Sequence, residues 1–266
     1  AVRAALGDGN EPVRIAALAA MAQLVELKDL GLLTTRALAG AGPAETATAQ
    51  QALQTAALRM SDPDGCAAQI AKCLEGTSGA NRTFLMELLG KISGAKALET
   101  IVAGAKSGDA AIKDEATRVL GNWVNADAAP ALLAIAKDDP DAKYQIRALR
   151  GYIRIARQLQ LPTEKRLEMF RIAMEVAKRN DEKQLALDVL TRIPSVETLE
   201  IAVAYLDKPG LKNAAAQAAV KIAPKLGAGD AKAVAAAMQK VLDAGVRGNP
   251  GARATQLLDQ AKSGSK

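Results

Sequence analysis

The sequence predicts an all-α fold, a solenoid of about eight stacked helical hairpins and approximately fifteen helices. Three observations carry this. A short apolar motif recurs along the whole chain at a mean interval near 34 residues. Polar turn signals separate the copies, and runs of β-branched residues, which would mark strands, are scarce. Alanine makes up 58 of 266 residues, or 22%, two to three times ordinary usage. That composition suits helices that approach closely.

The motif is a small residue, two variable residues, an apolar residue and then a larger apolar residue. It occurs as Ala17…Ala20-Met21, Ala49…Ala52-Leu53, Leu85…Leu88-Leu89 and Ala116…Val119-Leu120. It continues as Gln145…Ala148-Leu149, Ala186…Val189-Leu190, Ala216…Ala219-Val220 and Ala254…Leu257-Leu258. Each copy keeps the helical period, and so do the intervening segments around Leu98–Val102, Ala131–Ile135 and Leu199–Val203. The joints are Ser61-Asp62-Pro63-Asp64-Gly65, Asp138-Asp139-Pro140-Asp141, Lys208-Pro209-Gly210 and Gly248-Asn249-Pro250-Gly251. There Asp or Asn is expected to cap the next helix, with Pro in its first turn. Asn81-Arg82-Thr83 matches a glycosylation acceptor but falls where a helix should start, so helix capping is its expected role. One hairpin of this length cannot bury its apolar face alone, and stacking supplies the core. Residues 1–262 therefore read as a single repeat domain, its first hairpin truncated near Ala1–Leu6 and its last fraying into a polar tail at 263–266.

Composition excludes several chemistries. The chain has no histidine, 2 cysteines and a net charge of +6. No Ser-His-Asp triad, Cys-His pair or imidazole metal site can form, and two cysteines cannot make a four-thiolate zinc site. Cys66 and Cys73 sit seven apart on one helix, where Cα atoms are roughly 10 Å apart, too far for a disulfide; they read as small buried hydrophobes. Leu89-Gly90-Lys91-Ile92 lacks the remaining residues of a phosphate loop, and no strand precedes Gly7-Asp8-Gly9. Glu164, Glu168, Glu197 and Glu200 read as solvated helix charges. No catalytic residue, cofactor or metal site is expected. No apolar run approaches the ~20 residues of a membrane span. The chain begins Ala1-Val2-Arg3 without an initiator Met or a signal-peptide core, and so reads as a piece or mature product of something longer.

One unit stands out. On a helix expected over 140–159, Lys143, Arg147, Arg150, Arg154 and Arg157 fall at i, i+4, i+7, i+11 and i+14. At about 100° per residue they span only about 80° of the helix surface. Leu149, Ile153 and Ala156 occupy the core side. Residues 141–192 hold 12 basic and 7 acidic residues and half of the aromatics, Tyr144, Tyr152 and Phe170. The stripe has two readings. It is a solvated face partly paired to acids such as Glu168, Glu175 or Asp181, or it is a contact surface for an anionic ligand or acidic partner. The pI of about 9.3 is compatible with nucleic acid. The mild net charge, the interspersed acids and the scarcity of aromatics argue against it. The lone Trp123, in Gly121-Asn122-Trp123, fits a core or hairpin-joint residue.

The segment Glu11-Pro12-Val13-Arg14-Ile15-Ala16-Ala17-Leu18-Ala19-Ala20-Met21 resembles the second helix of HEAT-type repeats, with Pro opening it, then Val-Arg, then Ala. The resemblance extends over almost the whole chain, although later copies lose the Val-Arg pair. It implies an armadillo-like, right-handed α-α superhelix that serves as a non-catalytic scaffold, binding proteins or spacing neighbouring domains of one polypeptide. The stretch from Arg147-Ala148-Leu149-Arg150-Gly151-Tyr152 through Arg179-Asn180-Asp181-Glu182-Lys183 to Leu190-Thr191-Arg192-Ile193-Pro194-Ser195 also resembles helical-repeat regions of planctomycete-like exported bacterial proteins. Those regions accompany 3-keto-disaccharide hydrolase-type domains. That second resemblance implies an accessory region of an exported or periplasmic protein. The expected partner is a protein or a neighbouring domain, and the expected state is a monomer.

Overall fold

The computed structural model describes residues 1–39 and 42–263. Among them every regular element is helical, and the sixteen α-helices alternate as eight hairpins. The chain divides into two compact units, Ala1–Ala128 and Ala129–Lys266.

The first unit holds α1 (Val2–Ala5) and α2 (Glu11–Leu24), α3 (Leu30–Leu38) and α4 (Pro43–Arg59), α5 (Pro63–Leu74) and α6 (Gly79–Ile92), and α7 (Ala95–Ala105) and α8 (Ala110–Gly121). The second holds α9 (Ala129–Asp138) and α10 (Ala142–Gln158), α11 (Thr163–Val176) and α12 (Asn180–Leu190), α13 (Val196–Val203) and α14 (Lys212–Ile222), and α15 (Ala231–Asp243) and α16 (Asn249–Ser263). All eight motif copies fall on the second helices of the hairpins. Within each unit a second helix packs on its mate and on the next second helix, α2 on α4, α4 on α6 and α6 on α8, and again α10 on α12, α12 on α14 and α14 on α16. Such neighbour-only stacking is how a repeat array builds its core.

The motif fills that core. Ala49, Leu53, Leu85, Leu89, Ala116, Leu120, Ala148, Ala186, Leu190, Ala216 and Ala254 are fully buried. Small residues at the layer centre permit the close approach: a methyl placed on Gly90 of α6 would lie 2.7 Å from Val119 Cγ1 of α8. Trp123, just beyond α8, is buried in its own unit, as its place at a hairpin joint predicts.

Caps follow the turn chemistry, with shifts. Asp62 accepts from Gly65 N at 2.8 Å with Pro63 opening α5. Asp109 caps α8, and Ser195 forms a capping box with Thr198 at α13. At the 138–141 joint the cap is Asp141 and α10 starts at Ala142, so Pro140 precedes the helix instead of entering its first turn. α6 begins at Gly79, two residues before Asn81. The Asn81 amide is therefore not a cap; it donates 3.3 Å to the Leu38 carbonyl of the preceding hairpin. Arg59 to the Val25 carbonyl and Lys225 to the Thr191 carbonyl, 2.8 and 2.9 Å, repeat the device. Long side chains from the next hairpin thus satisfy carbonyls left open where helices end. Ser263, assigned from sequence to the tail, closes α16 and donates to the Asp259 carbonyl; residues 264–266 lie outside the described residues. The two cysteines lie on α5, with Cys66 buried and Cys73 half-buried; burial pushes both thiols up.

Candidate partner-binding surface

The basic stripe lies on α10, seventeen residues long and the helix of strongest two-sided character in its unit. One side, with Leu149, Ile153, Ile155 and Ala156, is buried. Of the stripe, Lys143 and Arg150 are exposed, and Arg147, Arg154 and Arg157 are half-buried. Lys143 and Arg147 flank the Tyr144 ring, their cations 5.2 and 5.8 Å from its centroid. Burial pulls the Arg154 guanidinium down from the usual arginine range.

Arg150 and Arg157 turn toward α12. Arg150 pairs with Glu182 at 2.8 Å, and the Glu182 side chain is only 1% exposed. Arg157 approaches Asp188 at 3.7 Å, and Asp188 is also 3.5 Å from Lys221 of α14. The partners of Arg150 and Arg157 are thus Glu182 and Asp188. Of the acids suggested by the sequence, Asp181 pairs with Arg179 and Glu168 with Lys165. The signal that would have found Glu182 and Asp188 is opposite charge one repeat away, at 32 and 31 residues. The first unit uses the same spacing. Arg14 of α2 bonds Glu45 of α4 at 2.8 Å, and Glu87 of α6 bonds Arg118 of α8 at 2.6 Å. Each pair ties one second helix to the next.

Two hollows flank this ladder in the second unit. A groove of about 420 Å³ runs over α10, α12 and α14, lined by Arg150, Asp181, Gln184, Asp188, Gln217 and Lys221 among others. A cavity of about 250 Å³ opens beside it, with Ala136, Ala142, Ile146, Leu149 and Val176 as its apolar wall and Lys178, Arg179 and Glu182 at its charged side. Among the described residues no group of three or more carboxylates and thiols is gathered to hold a metal ion, and no helix is long and apolar enough to cross a membrane.

Residues 67–152 match the family model of HEAT repeats. No curated protein matches the chain. Among solved structures the chain is similar to Kap121p in its complex with Nup53p, at 12% identity and TM-score 0.48 over 90% of this chain and 28% of that one. It thus spans little more than a quarter of that protein. It is also similar to an engineered protein, at 18% identity and TM-score 0.29 over 99% and 96% of the two chains. A third similarity is to the CpcE–CpcF complex of phycocyanin lyase from Nostoc sp., at 16% identity and TM-score 0.30 over 98% and 93%. The eight hairpins, with second helix on second helix inside each unit, give this chain a HEAT-like helical-repeat fold, and residues 67–152 carry the match to HEAT repeats.

Proposed function

We propose that the chain is a non-catalytic scaffold whose second-helix face over α10, α12 and α14 receives a protein partner or a neighbouring domain of the same polypeptide. The observation that carries this is the groove of about 420 Å³ whose charged walls are fixed by pairs spanning one repeat. Side chains held in one arrangement before binding lose little entropy on binding. The mixed signs of the walls favour a protein surface over a simple polyanion. The chain acts as a monomer in this reading. On the resemblance of residues 140–194, it serves beside a glycan-active domain of an exported protein.

The test is affinity capture with the wild type and a Lys143→Glu/Lys221→Glu variant, at low and at moderate salt. Both lysines are exposed, and Asp188, which faces Lys221, is itself partly exposed and keeps Arg157, so their reversal leaves the core intact. Arg150 is unsuitable, because a glutamate there would face buried Glu182. A partner retained at moderate salt by the wild type and lost by the variant is the expected result. Retention of nothing, or only of polyanions that leave as salt rises, overturns the reading.

A further inference from the structure

The groove and the cavity share no lining residue, yet two ion pairs join them. Arg150 on the groove side bonds Glu182 on the cavity side, and Arg179 on the cavity side bonds Asp181 on the groove side. The hollows are therefore two compartments of one surface. One is apolar and of side-chain size. The other is larger and lined mostly by polar side chains.

The charges do not balance. Four cations, Arg150, Lys178, Arg179 and Lys221, line the compartments against three carboxylates, Asp181, Glu182 and Asp188, and Arg157 adds a fifth cation at Asp188. The surplus is visible in the bonding. Asp188 lies between Arg157 and Lys221, Glu182 between Arg150 and Arg179, and Lys178 donates to the Gln145 amide oxygen at 2.9 Å. A partner that adds a carboxylate gives these shared cations an acceptor without requiring any existing pair to break.

Resting on the scaffold reading above, we infer that this surface binds an extended acidic peptide segment, with one bulky apolar side chain seated in the cavity beside Ala142 and Leu149 and its flanking carboxylates over Arg150 and Lys221. A buried apolar anchor ringed by polar contacts is the arrangement in which a few residues carry most of the affinity.

The probe is a pool of fluorescein-labelled decapeptides with a fixed central Phe and flanking positions drawn from Asp, Glu, Ser and Gly, read by fluorescence polarisation at 150 mM NaCl. The acidic Phe pool should bind. Pools with Ala for Phe, or with Lys for Asp and Glu, should bind at least tenfold more weakly. Ala142→Leu, which narrows the cavity mouth from an exposed position, and Lys221→Gln, which removes the charge without setting a carboxylate against Asp188, should each weaken the Phe pool at least tenfold with little change in melting. Equal binding of the Ala pool reduces the effect to charge attraction and overturns the inference, as does binding of the Lys pool, indifference to both variants, or no binding. A partner captured by the wild type that the acidic Phe pool fails to displace also overturns it and leaves the scaffold reading standing. Capture of no partner defeats the scaffold reading itself.

Discussion

Arg150 reaches across one repeat and sets both Nε and Nη2 on a single oxygen of Glu182, Oε1, at 2.9 and 2.8 Å, while Arg179 Nε approaches Oε2 at 3.4 Å. Glu45 is held the same way: Arg14 places Nε and Nη2 on Oε2 at 2.9 and 2.8 Å, and Arg36 stands 4.0 Å from Oε1. Both glutamates are the third residue of a second helix, where the helix dipole favours negative charge. Burial of each carboxylate is tolerated because two guanidinium groups and a helix N-terminus replace the water it loses.

Removing one guanidinium from such a site leaves a buried carboxylate half satisfied. Arg150→Ala should lower stability by about 1–2 kcal/mol, discounted because the arginine is about half exposed. Glu182→Ala should cost a similar amount, and the double variant less than the sum of the two. Urea unfolding of the four proteins checks this; additive losses would show that the pair is not coupled.

The Arg14 hydrogen bonds hold the Glu45 carboxyl below the usual carboxylate range. A carboxyl depressed in the fold contributes stability above its unfolded pKa and loses it as pH falls through the folded one. Lowering pH below about 4.5 should therefore destabilise the wild type more steeply than Glu45→Gln. Thermal melts from pH 6 to pH 3 are the check, and parallel curves would be the contrary result.

The hairpins were legible because the small-apolar motif follows the 3.6-residue period and recurs near 34, so Ala49, Leu85 and Ala186 read as core from the sequence, and all three are fully buried. The stripe on α10 was legible as one face for the same reason. Its pairing was not, because periodicity within a helix says nothing about what stands opposite on the next one. Glu182 and Asp188 become visible only when charges are compared one repeat apart, and Glu182 also breaks the expectation that a glutamate lies in solvent. The start of α10 falls two residues later than expected because Asp141 takes the cap, and the α6 cap position falls at Ser78, three residues before Asn81.

Gly90 tests the closeness of the layers. An alanine there gains about 1 kcal/mol of helix propensity. Its methyl, however, meets Val119 Cγ1 at 2.7 Å, and overpacking of a tight interior costs about 1–3 kcal/mol. Gly90→Ala should be destabilising on balance, and Val119→Ala should relieve it, so that the double variant melts above Gly90→Ala alone. If the double variant melts lowest, the contact between α6 and α8 is not the cause.

Tyr152 supplies the alkaline counterpart. Its side chain is buried in the α10 core, and burial, reinforced by the negative charge of Glu168, pushes the phenol up to about 12 from 10. A phenol with a raised pKa in the fold favours the neutral form there. The stability it contributes is complete below the unfolded value of about 10 and falls away as pH rises toward the folded value of about 12. The wild type should therefore lose melting temperature between those limits more steeply than Tyr152→Phe, which keeps the ring and removes the ionising group. Absorbance at the phenolate band should show one of the three tyrosines ionising only near pH 12 or on unfolding, a step missing from Tyr152→Phe. Every other ionising group is common to both proteins, so the difference between the two curves isolates this phenol. Coincident curves would mean that Tyr152 reaches solvent and that the α10–α11 layer opens around it.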